Sequence, residues 1–194
     1  MKRILLAILA ISTISVAAQA NDLSYNYVQA GYVYGNSDSG SDSHSWTGQG
    51  SAAIGEHFDL FGGVDRTFRD GSDAKTNGWG LGGGFHTPVA SQTDFVANVS
   101  YGHSNVEGVT GNTSSWTGDV GVRSALAPQF EGWINAGYSH GDFNNGIVDV
   151  SGKGQVIGNV GGQYKLNKNW GLVSEVTLAP RGNQAVFFGP RVSF

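Results

Sequence analysis

The chain of 194 residues has no cysteine and only four prolines. Without thiols it can build neither a disulfide framework nor a thiolate metal site. Charged residues are also scarce, at 13% of the chain, whereas about 25% is usual in soluble domains. Because acids outnumber bases by 15 to 11 and no basic cluster occurs, nucleic acid is not an expected partner.

Long apolar segments are lacking as well, except at the start of the chain. Residues 1–20 begin with the basic "MKR", continue with the apolar "ILLAILAISTISV" and end in the small residues "AQA". This order predicts a secretory signal peptide that is cleaved after Ala20. The apolar stretch is shorter than the roughly 20 residues that a transmembrane helix needs. We therefore expect an exported mature chain, residues 21–194, that folds as one domain.

Glycine and aromatic residues are abundant instead, with 31 glycines and 11% aromatics. Many segments alternate between apolar residues and polar or small ones in steps of two, which indicates β-strands with two different faces. Three of these segments begin with a tryptophan, at Trp46, Trp79 and Trp116. The intervals between them fit two strands plus two connections, so the pattern predicts a meander of hairpins.

Ten segments of this kind predict an all-β fold, an antiparallel up-and-down transmembrane β-barrel of ten strands, with eight strands as the alternative. Short connections such as "PVASQT" and "NKN" alternate with longer polar ones such as "GNSDSGSDSHS". Aromatic residues fall at both ends of the outward faces, and charge is almost absent between them. Strands that face lipid between aromatic girdles have this pattern. The predicted location is the outer membrane, with the long loops at the cell surface.

Two motifs that suggest cofactor binding or catalysis are better explained by strands. "GWGLGG" from Gly78 has the spacing of a dinucleotide-binding turn, but no helix-period pattern follows it. Its inward glycines, such as Gly80 and Gly82, are predicted to make room in the lumen for large side chains such as Phe61. "GYSHG" from Gly137 matches a nucleophile elbow but does not lead into a helix. We therefore expect no cofactor, no metal and no enzymatic activity.

A hydrolase site at the outer rim is the least favoured hypothesis. Some barrels are enzymes that use histidine with acidic or hydroxyl side chains near that rim, where they act on lipid or peptide. The residues that would supply such a site here are His44, His103, Ser104, Glu107, His140 and Asp142. Histidines in hydrophilic rim loops are usually only solvated, and this explanation is preferred.

Seven charged residues share the inward phase of the predicted strands: Asp65, Asp119, Arg123, Glu131, Lys165, Glu175 and Arg191. Unpaired charges are costly in a narrow space of low dielectric, so we expect these seven to form a network. Such a network would plug the lumen. In the alternative, the same charges line a narrow porin-like channel for ions or small solutes. The number of strands does not decide between a plugged lumen and a channel, because ten lies between the filled barrels of about eight strands and the open porins of about 16.

The sequence resembles the small outer-membrane β-barrel proteins of Gram-negative bacteria, the OmpX-like and opacity-protein-like group. The likeness is carried by the signal peptide, "LSYNYVQAGYVYG" at the mature start and "FFGPRVSF" at the end. It implies that Phe188, Val192 and Phe194 form the C-terminal signal read by the barrel-assembly machinery. The mature start also looks like a branch associated with cell-to-cell signalling and biofilm phenotypes. Ten predicted strands depart from the eight that are usual in the OmpX-like group.

The resemblance implies partners as well as a location. These are periplasmic chaperones, the barrel-assembly machinery, and the lipid and lipopolysaccharide of the outer membrane, and a monomer is expected. The resulting hypothesis is a non-enzymatic barrel with a mostly plugged lumen. It would act through its polar surface loops in envelope integrity, adhesion or biofilm-type surface contact.

Overall fold

The computed structural model describes residues 23–36, 42–73, 75–107, 112–141, 143–144, 149–150 and 154–194. The predicted signal peptide and Asp142 lie outside these ranges. Within them, no helix has the length and apolarity needed to cross a membrane.

Twelve strands occur in the described part of the chain. Their bounds are β1 (Tyr27–Asn36), β2 (Ser43–Ile54), β3 (Phe58–Arg69), β4 (Lys75–Ala90), β5 (Thr93–Val106), β6 (Asn112–Ala127), β7 (Phe130–Gly141), β8 (Phe143–Asn144), β9 (Asp149–Val150), β10 (Gln155–Lys165), β11 (Trp170–Leu178) and β12 (Gln184–Ser193).

Ten of these strands form one closed antiparallel barrel, in which each strand pairs with its neighbours in the chain and β1 pairs with β12. The short strands β8 and β9 pair only with each other, within the connection from β7 to β10. The predicted up-and-down barrel of ten strands is therefore confirmed, and the alternative of eight is wrong. Closure leaves no barrel strand with an unpaired edge, which an open sheet of this length would expose.

Side chains alternate between the outside and the lumen along every barrel strand, as the period-2 pattern predicts. The outside is apolar, since Trp46 is 63% exposed and both Val64 and Leu81 are 62% exposed. The lumen is polar, since Glu131 and Gln163 are only 1% and 2% exposed. Buried polar and exposed apolar side chains reverse the usual arrangement of a soluble protein.

Aromatic rings lie at both ends of the outer surface. At the end that carries the short turns, Phe58 and Phe85 lie side by side with ring centroids 5.5 Å apart. At the opposite end, Tyr101 lies 5.9 Å from Trp79 and 5.0 Å from Trp116. These rings form two belts, and the belt at the long-loop end is called the loop-side belt below.

The turns at one end of the barrel span residues 55–57, 91–92, 128–129 and 166–169. The turn from β4 to β5 is shorter than the predicted "PVASQT", because β4 continues through Pro88 to Ala90. The register shifts between Pro88 and Ala90, and a bulge of this kind is a position where a strand tolerates proline. Strand β5, which follows this turn, reaches Val106.

Glycines make room for large side chains inside the barrel. The ring of Phe61 occupies the space where Gly82 would carry a Cβ atom. In the same way, a Cβ atom on Gly161 would lie 2.5 Å from the indole of Trp133. The "GWGLGG" stretch is part of β4, and no turn or helix follows it there.

Candidate functional site: the charged lumen

The barrel contains a cavity of about 610 Å³ that is lined by both polar and apolar side chains. Its two halves differ in chemistry. The half next to the short turns holds arginine, lysine and glutamine side chains with their carboxylate partners. The half next to the long loops is lined mainly by serine, threonine and asparagine, with pairs such as Ser45–Thr67 at 2.7 Å and Thr117–Ser139 at 3.0 Å.

Glu131 on β7 is the centre of the ion pairs in the short-turn half. Its carboxylate accepts hydrogen bonds from Arg123 Nε at 3.1 Å and from Arg123 Nη2 at 2.5 Å. Lys165 Nζ lies 2.6 Å from the other carboxylate oxygen. Arg123 and Lys165 come from β6 and β10, the two strands that pair with β7. One buried carboxylate therefore holds two cations and ties three strands together.

Arg191 on β12 is held by amides and aromatic rings. Its Nε donates to Gln29 Oε1 at 2.7 Å, and its Nη1 donates to Gln163 Oε1 at 3.1 Å. The guanidinium lies over Tyr27, 4.0 Å from the ring centroid, and 5.4 Å from that of Trp133. Such contacts stabilise a partly desolvated cation.

Trp133 links this arginine to another of the predicted residues. Its indole Nε1 donates to Glu175 Oε2 at 2.9 Å, while its ring lies beside the Arg191 guanidinium. Glu175 and Arg191 therefore share a neighbour.

The residues that precede β1 lie at the short-turn mouth of the lumen and make contacts across it. This segment, residues 23–26, is called the N-terminal strap. Tyr25 stacks on His86 of β4 with ring centroids 3.6 Å apart and planes 7° apart, and its hydroxyl donates to Asp94 Oδ2 at 2.9 Å. Arg123 Nη1 donates to the Ser24 carbonyl at 3.0 Å. Because β1 is bonded to β2 and β12, these side-chain contacts join the strap to strands on the opposite side of the lumen.

The environment of Tyr25 keeps its phenol protonated. Burial is the largest cause that raises the pKa of Tyr25 above its usual value, and the hydrogen bond to Asp94 raises it further. The nearby Arg123 acts in the opposite direction and lowers the pKa of Tyr25, but by less. The hydroxyl can therefore serve as a donor to Asp94 over the whole physiological range.

Asp65 and Asp119 lie apart from these ion pairs. Asp65 accepts a hydrogen bond from Thr67 at 3.2 Å, and Asp119 accepts one from Asn98 at 2.8 Å. Of the seven predicted lumen charges, the structure joins Arg123, Glu131 and Lys165 directly. It brings Glu175 and Arg191 to a common neighbour, and it places the two aspartates elsewhere.

Several lumen residues were not singled out from the sequence. Tyr25 has the same odd-numbered phase as Tyr27 and Gln29, so extending the strand pattern by two residues would have placed it inward. His86 and Asp94 also have the inward phase, and both are buried, at 7% and 5% exposure. The period-2 phase of a strand assigns each side chain to the lumen or to the outer surface. It does not show that residues outside the strands will make contacts across the barrel.

The rim histidines do not come together. His44 lies on β2, His103 on β5 and His140 on β7, and no two of these strands are neighbours. All three have the outward phase, and the His103 ring lies 5.6 Å from the outward Trp79.

The other members of the predicted rim set have different partners. Ser104 is buried and bonded to Thr113 at 2.7 Å, and Glu107 pairs with Arg66. Among the residues that the structure describes, no group of three or more histidines and acids has a geometry suited to a metal ion.

The residues of the predicted assembly signal lie in one row on the outer surface. Phe188 is 57% exposed and Phe194 is 69% exposed, and Val192 lies between them in the same phase. Phe194 N also donates to the carbonyl of Asn26 in the strap at 3.1 Å. The role of this row in assembly stays a prediction.

The fold and the lumen together define a closed, ten-stranded, up-and-down β-barrel with an apolar outer surface and a polar interior. No protein-family model and no curated protein matches the sequence. The chain is similar in structure to the translocator domain of the autotransporter NalP from Neisseria meningitidis, with a TM-score of 0.52, 12% identity and 90% of each chain covered.

Two further solved structures are similar at lower TM-scores. The KdgM porin has a TM-score of 0.45 and 15% identity, with 86% of this chain and 99% of that chain covered. Ail, the attachment invasion locus protein of Yersinia pestis, has a TM-score of 0.41 and 10% identity, with 89% and 100% covered. At 12% identity, the likeness to the NalP translocator domain shows the fold alone.

Proposed function

We propose that this protein is an outer-membrane β-barrel of Gram-negative type whose lumen is closed at the short-turn end. In this proposal residues 1–20 direct export, residues 21–194 form the barrel, and the long polar loops face the cell surface. The apolar outer surface and its two aromatic belts support a place in lipid. The loops would then act in envelope integrity, adhesion or biofilm-type surface contact, without enzymatic activity.

The observation that carries this proposal is the N-terminal strap at the short-turn mouth. The strap is fastened by Tyr25 to β4 and β5 and by its Ser24 carbonyl to Arg123. Arg123 is in turn fixed by Glu131. Opening the mouth would break the Tyr25–Asp94 and Arg123–Ser24 hydrogen bonds, each of which has one charged partner. Hydrogen bonds to charged groups contribute about 1.5–3 kcal/mol each, so spontaneous opening would be rare.

A loop-shortening experiment tests the proposed site of action. Shortening the connection between β5 and β6 should change surface attachment or biofilm formation while leaving the barrel folded, as judged by heat-modifiable gel mobility. The substitution Lys168→Gln in the turn at the opposite end is the matched control and should change neither. The same shortening can be made in each of the other long loops. If attachment stayed unchanged in every one of these variants, a role for the loops would be contradicted.

A narrow cation channel is the second candidate, and one observation favours it. The cavity of about 610 Å³ reaches into the loop-side half, where Asp65 and Asp119 accept hydrogen bonds from the neutral side chains of Thr67 and Asn98. If the strap can leave the mouth, these carboxylates would favour cations. Tyr25→Ala should then produce current steps, and adding Asp65→Asn and Asp119→Asn should reduce the preference for cations.

The rim hydrolase keeps the lowest rank, because its histidines lie on three separate strands. It predicts loss of a lipid- or peptide-hydrolysing activity on His103→Ala or His140→Ala with the fold intact. We expect neither substitution to remove such an activity.

A further inference from the structure

Cationic side chains are concentrated at one place on the outer surface. Of the lysines and arginines on the described strands, only Arg66 on β3 and Lys75 on β4 have the outward phase. The cations of the later strands, Arg123, Lys165 and Arg191, face the lumen. Arg66 and Lys75 lie at the same end of two paired strands, so they form a local feature rather than a scattered surface charge.

Both cations lie beside the ring of Phe68. The guanidinium of Arg66 is 5.9 Å from the ring centroid, and the ammonium of Lys75 is 6.0 Å from it. His44 of β2 stacks on the same ring, with centroids 5.4 Å apart and planes 13° apart. His44, Arg66, Phe68 and Lys75 are called the Phe68 cluster below. Cation–π contact and stacking restrict these side chains before any ligand arrives.

The Phe68 cluster lies at the height on the barrel where lipid head groups are expected. Arg66 pairs across the strands with Trp46, and Val64, two residues before Arg66, pairs with Trp79 of the loop-side belt. Phe68 lies two residues farther toward the loops. Tyr32 and Trp46 continue the same row of rings toward the middle of the barrel, with centroids 5.4 Å apart. Aromatic belts of membrane proteins lie at head-group depth, so the cluster would lie at the depth of lipid phosphates.

We propose that Arg66 and Lys75, held around Phe68, bind the phosphate of a lipid head group in the outer leaflet. This inference rests on the proposed place of the barrel in the outer membrane. Arg66 supplies a planar fork that suits a phosphate, whereas Lys75 supplies a compact point charge. The Arg66 side chain is 47% exposed, so its free edge is accessible to a neighbouring lipid.

Carboxylates near the Phe68 cluster limit how strongly the cluster can bind a lipid phosphate. Arg66 Nη2 donates to Glu107 Oε1 at 2.7 Å, and Asn77 Nδ2 donates to the same oxygen at 3.2 Å. Asp70 lies 3.5 Å from His44 Nδ1, at the other side of the cluster. Glu107 therefore competes with a lipid phosphate for Arg66, and removing its charge should strengthen lipid binding. A cluster that served only as an internal ion pair would show no such gain.

The test is native mass spectrometry of the mature chain, refolded in phosphatidylcholine that contains a small fraction of phosphatidic acid. The measured quantity is the fraction of protein that retains phosphatidic acid. Arg66→Gln with Lys75→Gln should reduce apparent affinity by about tenfold or more, because each cation near a lipid surface contributes appreciably to anionic-lipid binding. Glu107→Gln should increase retention. Arg181→Gln, which removes a cation from the loop between β11 and β12, is the matched control and should leave retention unchanged.

Each other outcome overturns a defined statement. Unchanged retention in the Arg66→Gln, Lys75→Gln variant, with normal heat-modifiable mobility, would overturn the lipid-binding site. Inorganic phosphate that displaces phosphatidic acid at equal concentration would assign the cluster to soluble phosphate and overturn a lipid ligand. A chain that never inserts into the bilayer would instead overturn the proposed membrane location.

Discussion

The substitution Glu131→Gln should destabilise the barrel strongly, although it changes neither the size nor the shape of the side chain. Glu131 is 1% exposed, and its carboxylate lies within ion-pair distance of both Arg123 and Lys165. A glutamine keeps one acceptor oxygen but removes the negative charge that these two cations share. Removing one partner of a buried ion pair costs about 3–5 kcal/mol.

The expected loss lies near the lower end of that range, about 3 kcal/mol, because the Lys165 side chain is 20% exposed and can turn toward water. The assay is urea unfolding of the refolded chain in lipid vesicles, followed by tryptophan fluorescence. Glu107→Gln is the matched control, since its pair with Arg66 is exposed and should contribute about 1 kcal/mol or less. A loss below about 1 kcal/mol for Glu131→Gln would refute the reasoning, because a buried pair would then behave like a surface pair.

Three further predictions concern packing, assembly and the strap. Gly161→Ala should destabilise the barrel by about 1–3 kcal/mol by pressing on Trp133, whereas Gly158→Ala on the same strand, with open space around it, should be nearly neutral in urea unfolding. Deleting Phe194 should lower the yield of assembled barrel in cells, while the variant refolded in vitro keeps its heat-modifiable mobility; equal yields would contradict an assembly role. Burial raises the pKa of Tyr25 above its usual value. The hydrogen bond from Tyr25 to Asp94 should therefore stabilise the fold fully below about pH 10, and this stabilisation should be lost only as the pH rises past the raised pKa. Tyr25→Phe should remove the loss of stability at alkaline pH when the free energy of unfolding is measured against pH. A variant with the same pH dependence as the native chain would contradict this role of Tyr25.

The fold could be predicted from the sequence because two environments impose one alternation. Lipid outside and a polar lumen inside require side chains of opposite character at successive positions, so a face can be assigned to Val28 or Gln29 from the sequence. Strand ends were less certain. Pro88 suggested a break, but a bulge lets β4 continue past it to Ala90.

The candidate site could be predicted only in part, because phase defines direction but not partners. Asp65 and Glu131 both face the lumen, yet only Glu131 lies between two strands that bring cations to it. Arg66 has the outward phase of Val64, but a cation was not expected on a lipid-facing strand. The role proposed for Arg66 depends on its contact with Phe68 and on its height on the barrel. Both are defined only by the three-dimensional structure.

The central claim is that the lumen is closed, and the most direct test is single-channel current across a planar bilayer that contains the refolded chain from residue 21 to residue 194. We predict a silent membrane at moderate voltage, with insertion verified by heat-modifiable gel mobility of the same preparation. Reproducible current steps in the native chain, with an ion selectivity that changes on substitution of Glu131 or Arg191, would contradict the claim and identify the protein as a channel.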